Sequence, residues 1–214
     1  MRKKIAIVGA GGFGQEVYCI WKAQLKSENI EYDFVGFFDD TEGLLNNNFG
    51  KVVGKVDDLN AIDYPLEIAI GIGSPQHIHS VKSRINNDFL TFPNIIHPSV
   101  IFLERNSVSF GQGNILSANV LMSCNISVGN FNVFNTRATL GHDDSIGDFN
   151  IFSPNVQISG TVKVGDVNFF GFNSGILQKK NIGNRNVIGA GCILFRGIKD
   201  EGTYLGVPGV KLKL

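Results

Sequence analysis

The stretch from Phe110 to Leu194, FGQGNILSANVLMSCNISVGNFNVFNTRATLGHDDSIGDFNIFSPNVQISGTVKVGDVNFFGFNSGILQKKNIGNRNVIGAGCIL, keeps one rule from end to end. Every sixth residue is apolar: Phe110, Leu116, Met122, Val128, Phe134, Leu140, Ile146, Phe152, Ile158, Val164, Phe170, Ile176, Ile182, Ile188 and Leu194. The residue after each of these is often small, as at Gly111, Gly129, Gly141, Gly147, Gly165, Gly171, Gly183 and Gly189, or at Ser117, Ser123, Ser153 and Ser159. A helix repeats near 3.6 residues and an isolated strand at two, so neither produces a period of six.

Three hexads close one coil of three short strands, a triangular prism in cross-section. The apolar residue of each hexad then points inward and stacks on its counterpart one coil away. The residue after it falls at the corner, where glycine or a small polar side chain is expected to tolerate the bend. No single coil buries its own inner face, so the coils must stack to fold. The expectation for residues 93–214 is therefore all-β: a left-handed parallel β-helix of hexapeptide repeats with a C-terminal tail.

Upstream of Pro93 the pattern is different. Lys4 to Val8 reads as a buried strand, Gln15 to Lys26 as a helix carrying Val17, Ile20 and Trp21 on one face, and Tyr32 to Phe38 as a second strand. LEIAIGI at 66–72 is a third strand, and residues 75–87 read as another helix. Strand–helix–strand order with short connections implies parallel pairing through right-handed crossovers. Residues 1–92 are thus expected to form an α/β, Rossmann-like domain, about half of a full dinucleotide fold.

Composition narrows the function classes. Nineteen basic residues balance nineteen acidic ones, so no global field draws the chain to nucleic acid or an anionic membrane. Cys19, Cys124 and Cys192 are odd in number and form no CxxC pair, which fits a reducing compartment. The apolar run at the N-terminus is short and no later segment has the length of a membrane span, so a cytoplasmic protein is expected.

The repeat ladder, NTRATLGHD at 135–143 followed by IGDFN, and YLGVPGVK near the C-terminus together resemble one family. It contains the bacterial sialic-acid O-acetyltransferases and the N-acetyltransferases of UDP- or dTDP-linked 4-amino sugars, and the resemblance covers nearly the whole chain. It implies an acetyl-CoA-dependent enzyme of surface-glycan synthesis, assembled as a homotrimer with its active sites between adjacent β-helices. Its N-terminal domain would hold the nucleotide of the sugar.

Acetyl transfer needs a group to accept the nucleophile's proton, and imidazole suits this because it ordinarily titrates near neutrality. Of the four histidines only His142 lies in the ladder, since His77, His79 and His97 fall outside it. From the residues alone, either Asp143 or Asp144 could orient the ring, and the resemblance selects Asp143. A second histidine that many N-acetylating relatives carry nine residues later is here Ile151, which leaves N- and O-acetylation both open. One ladder histidine cannot supply the three zinc ligands of a β-helix carbonic anhydrase, so no metal is expected.

Gly9-Ala10-Gly11-Gly12-Phe13-Gly14 fits GxGxxG between a strand and a helix, where backbone N–H groups can meet a phosphate. By resemblance Gly9, Gly11, Gly12, Phe13 and Gly14, with Asp39, Asp40, Gly73 and Ser74, face the nucleotide sugar, and Asn135 contacts the acceptor. Gly160, Asn173, Ala190, Pro208 and Lys211 match positions along the acetyl-CoA groove. Lys179, Lys180, Arg185 and Arg196 could meet the donor's phosphates, though each taken singly reads as a solvated charge, and the asparagines at 132, 168 and 186 read as turn formers. A nucleotide-binding β-helix scaffold without catalysis is the reading from a different class.

Overall fold

In the computed structural model, which describes residues 2–212, every rung from Leu116 to Leu194 is buried inside a β-helix. Phe110, in the entry coil, is half-buried. The chain divides into two compact units, Met1–Pro98 and Ser99–Leu214. The pattern changes at Pro93, but residues 93–98 still pack with the first unit: Ile95 is fully buried, and the Ile96 N–H donates to Gln24 Oε1 at 3.0 Å.

The first unit is a sheet with strand order β3-β4-β2-β1-β5-β6. Its strands are β1 (Lys3–Val8), β2 (Tyr32–Phe38), β3 (Asn46–Asn47), β4 (Gly50–Gly54), β5 (Leu66–Ile70) and β6 (Leu90–Thr91). All neighbours pair in parallel except the β3–β4 hairpin. Helix α1 (Gly12–Ser27) buries Val17, Ile20, Trp21 and Leu25, and α2 (Pro75–Arg84) buries Pro75 and Ile78. The sequence reading starts α1 at Gln15, whereas Gly11 is its N-cap and Gly12 to Gly14 form its first turn. The hairpin and the 3-10 segment Val56–Ala61 have no counterpart in that reading. Their strands are short and their sequence, NNNFGKVVG, carries no long alternation.

The second unit stacks strands of two or three residues into three sheets, one per prism side, parallel except where Thr203–Leu205 pairs antiparallel with Val210–Lys211. Leu116 pairs with Phe134, Leu140 with Ile158 and Ile146 with Val164, a register of eighteen. That spacing gives way only in the end coils, where Met122 pairs with Phe102 and Ile188 with Tyr204. Phe134, Phe152 and Phe170 stack with ring centroids 4.8 and 4.7 Å apart and planes within 6° of parallel. Burying each such ring stabilises the fold by about 2–3 kcal/mol.

Two expectations about the coil are corrected. The corner glycines are there for crowding, not for torsion. The left-handed conformation falls three residues after the rungs, at Asn119, Asn125, Arg137, Asp143, Asn155, Asn173 and their non-glycine equivalents, with φ of 54–63°. Gly129 and Gly141 lie where coils come closest: a Cβ on Gly129 would sit 2.7 Å from the Gly147 carbonyl oxygen, and one on Gly141 2.7 Å from Gly160 Cα. The second correction concerns the asparagines. Asn114, Asn132, Asn150, Asn168 and Asn186 are fully buried two residues before the rungs of one sheet, and they are not turn formers. From Asn132 to Asn186, each side-chain amide donates to Oδ1 of the asparagine one coil earlier at 3.0–3.1 Å, and each backbone N–H donates to that same oxygen. The interior thus holds a continuous amide ladder beside its apolar one.

Candidate active site

Residues 141–144 form the corner between the rungs Leu140 and Ile146. Asp143 takes the left-handed position at φ 60°, and Asn125 takes the same position one coil earlier at φ 57°. The two side chains therefore lie side by side along one prism edge, and Asn125 Nδ2 donates to Asp143 Oδ1 at 3.1 Å. The other carboxylate oxygen, Oδ2, is 2.7 Å from His142 Nδ1. The bond from His142, and after it the bond from Asn125, hold the Asp143 carboxyl below its ordinary range. A carboxylate only accepts, so Nδ1 carries the ring hydrogen and Nε2 presents its lone pair. His142 is exposed, with 61% of its side chain accessible.

The ring rests on Gly160, one coil above. A Cβ at Gly160 would lie 2.6 Å from Nε2 and 2.8 Å from Cε1, so its bare backbone gives the imidazole room. Asp144, the other carboxylate that sequence left available to orient the ring, points the opposite way. It occupies the inward position two residues before Ile146 and is 1% exposed, and its Oδ1 accepts the Val162 N–H at 2.8 Å. Asn125 was not singled out from sequence; the only signal for it is its spacing of eighteen residues from Asp143.

Not all the expected residues share this edge. Asn135, Asn173 and Ala190 follow the rungs Phe134, Phe170 and Ile188 and so lie along the preceding edge of the prism. Asn135 Oδ1 accepts the Thr136 N–H at 2.7 Å, which caps its own corner. Pro208 and Lys211 line a cavity of about 640 Å³ at the C-terminal end of the β-helix, together with Phe195, Arg196, Lys199 and Tyr204. Three cations beside two aromatic rings suit an anionic, aromatic group such as a nucleotide. Arg196, read from sequence as solvated, belongs to this cavity, whereas Lys179, Lys180 and Arg185 do not line it. Arg185 lies 3.7 Å from Glu201 at the surface.

In the first unit a cavity of about 340 Å³ opens beyond the ends of β1 and β2, lined by Gly9, Asp39, Asp40, His77, Ser80 and Arg84 among others. Gly9 has φ 97°, and a Cβ there would meet the Gly71 carbonyl, so only glycine fits this turn. Gly14 packs directly against Gly9 and Gly71. At Gly11, Gly12 and Gly73 the space a Cβ would take is open, leaving backbone accessible at the turn and after β5. Phe13 is half-buried beside them. Asp39 accepts the Ala10 N–H at 2.6 Å and the Thr41 N–H at 2.9 Å. Burial opposes its ionisation, but these donors outweigh it and keep the carboxyl below its usual range. Asp40 pairs with Arg84 at 2.6 Å and accepts the Val56 N–H, and Arg84 also reaches Asp57. Ser74 caps α2, accepting the His77 N–H at 3.4 Å. Arg84 and His77 come to the cavity from α2, 46 and 39 positions past the end of β2, and only the folded sheet brings them to the acidic pair.

Residues 4–85 match the PglD N-terminal domain family. No curated protein matches the chain. Among solved structures, the acetyltransferase domain of PglB from Neisseria gonorrhoeae, determined with acetyl coenzyme A, is 25% identical with a TM-score of 0.85. That match covers 99% of this chain and 100% of the other. WeeI from Acinetobacter baumannii shares the fold at 21% identity and a TM-score of 0.86, over 98% and 100% of the two chains. A histidine variant of perosamine N-acetyltransferase from Caulobacter crescentus, bound to CoA and GDP-perosamine, does so at 22% identity and 0.80, over 98% and 97%. The protein therefore has the fold and domain order of the hexapeptide-repeat sugar acetyltransferases. Its first unit matches the PglD N-terminal domain over residues 4–85, and its second is the left-handed β-helix that carries His142.

Proposed function

We propose that this protein is an acetyltransferase that moves the acetyl group of acetyl-CoA onto the amino group of a nucleotide-linked 4-amino-deoxy sugar. The observation that carries this reading is the His142–Asp143 pair, with Nε2 presented on an exposed edge of the β-helix. The amine attacks the thioester carbonyl, the C–N bond forms as the C–S bond breaks, and CoA leaves as the thiol with the proton taken from the amine. Nε2 of His142 takes the proton from the attacking amine, and Asp143 stabilises the imidazolium through Nδ1. Asn125 holds the second oxygen of Asp143, so the carboxylate cannot swing away. Arg196, Lys199 and Lys211 would hold the donor's phosphates, and the open glycine backbone at 11, 12 and 73 would face the nucleotide of the sugar.

The assembly is a homotrimer in this reading. His142 and Gly160 lie on one prism edge, Asn135, Asn173 and Ala190 on another, and a neighbour's edge facing the first would complete a groove. Both substrates are cytosolic metabolites, and no helix among the described residues is long and apolar enough to cross a membrane. A cytoplasmic location belongs to this proposal through its donor and acceptor alone.

O-acetylation of sialic acid is the second reading, and Ile151 favours it. It stands where N-acetylating relatives carry a second histidine, and it is 5% exposed. Thiol release from acetyl-CoA, measured with UDP-, dTDP- and GDP-linked 4-amino sugars and with sialic acid, separates the readings. Release with a nucleotide-linked amino sugar supports the first, release with sialic acid alone replaces it with the second, and release with none overturns both.

A further inference from the structure

Asp144 is a carboxyl group sealed inside the β-helix directly beneath the corner that carries His142. One coil below, the same interior position holds Ile126, and one coil above it holds Val162, both buried. Oδ1 is tied to the next coil by the Val162 N–H, and the carboxyl is also drawn by the Gly141 N–H of its own corner. Oδ2 is buried and has no hydrogen-bond partner. The group therefore spans the turn 141–144 from below, and an apolar residue would fill the place without these bonds. The titratable groups around it are few: His142 and Asp143 on its own corner, Cys124 on the corner below, Lys163 in the strand above, and Lys180 two coils above in the same interior column. Among the described residues none of these cations is ion-paired to it.

We infer that Asp144 is a positioning residue for His142, which acts through its charge from inside the coil to steady the protonated imidazole outside. The inference rests on His142 being the base. Burial pushes the Asp144 carboxyl up to about 7, with the Val162 and Gly141 N–H groups and His142 pulling the other way. The group thus changes charge near neutrality. When ionised, it adds a second negative charge, beside that of Asp143, to the field that favours imidazolium. When protonated, it leaves Asp143 to act alone. Unfolding exposes the carboxyl, which then ionises near its ordinary 3.8. Its contribution to folding is therefore complete below about pH 4 and is lost as pH rises toward 7.

The test compares wild type with Asp144→Asn, which keeps the Oδ1 acceptor, and with Asp144→Val, which copies the coil above. For wild type, log kcat/KM for thiol release should carry on its acid limb a partial step of about threefold to tenfold near pH 7, where Asp144 changes charge. In both variants that step should be absent, and kcat at pH 8 should drop roughly threefold to tenfold, with KM for both substrates little changed. A second readout needs no turnover. The melting temperature of wild type relative to Asp144→Val should fall between pH 4 and 7 and then run level. A step that persists unchanged in the variants, or melting curves that stay parallel from pH 4 to 7, would overturn the inference with the acetyltransferase reading intact. No thiol release from wild type with any acceptor would overturn that reading, and the positioning role with it.

Discussion

Asn150 and Asp144 both sit two residues before an inward rung, Phe152 and Ile146 respectively, and both are closed off from water. Asn150 has an asparagine at the same place in the coils above and below, so each amide finds its partner in a copy of itself. Asp144 stands between Ile126 and Val162 and keeps one oxygen without a partner. A buried polar group repeated along the stacking axis becomes part of the wall, because every coil satisfies the one before it. A polar group that occurs in a single coil gains no such support. Its retention asks for a local reason, and the only one at hand is the histidine corner outside it.

That contrast between wall and corner can be broken from either side. The largest effect is expected from His142→Ala. It should lower kcat by at least about a thousandfold, near 4 kcal/mol of transition-state stabilisation, while the melting temperature stays within about 2 °C. Near-wild-type turnover in that variant would remove the corner from the chemistry altogether. Asn150→Ala should act in the opposite sense. It orphans the Asn168 side-chain and backbone N–H groups and should cost about 2–3 kcal/mol in urea unfolding. The protein that remains folded should keep its specific activity within about twofold. Gly160→Ala sharpens the boundary between the two regions. Its methyl would displace an exposed ring and not a packed wall, so a drop in kcat of about tenfold should come with less than about 1 kcal/mol of stability lost. A stability loss larger than the activity loss would put Gly160 in the wall.

The apolar rungs were legible because their period is a geometric consequence of the coil, repeated fourteen times after Phe110. The asparagine ladder is equally periodic, but it recurs only every third hexad, so a count by sixes spreads it among unrelated positions. The reason for the corner glycines was hidden for a different cause. Sequence does not distinguish a glycine needed for its torsion from one needed for its missing Cβ, and here the torsion falls on Asp143 and its equivalents. His142 stood out as the lone histidine of the ladder. Whether Asp143 or Asp144 faced it depended on a second inward position in each hexad, which the apolar rungs alone do not reveal. The Arg84–Asp40–Asp57 cluster joins three separate segments, and no local pattern announces it.

The register of eighteen also makes the β-helix a measuring stick. His142 and Arg196 occupy the same place in their hexads three coils apart, and stacked strands advance about 4.8 Å per step. The His142 corner and the basic cavity at the C-terminal end are thus held about 14 Å apart along the axis. Excising one coil would leave every rung and every interior amide with a partner of the same kind, yet shorten that span by a third. Reach, in this architecture, is counted in whole turns of the chain, and a lineage could retune it by gaining or losing a turn without redesigning either end.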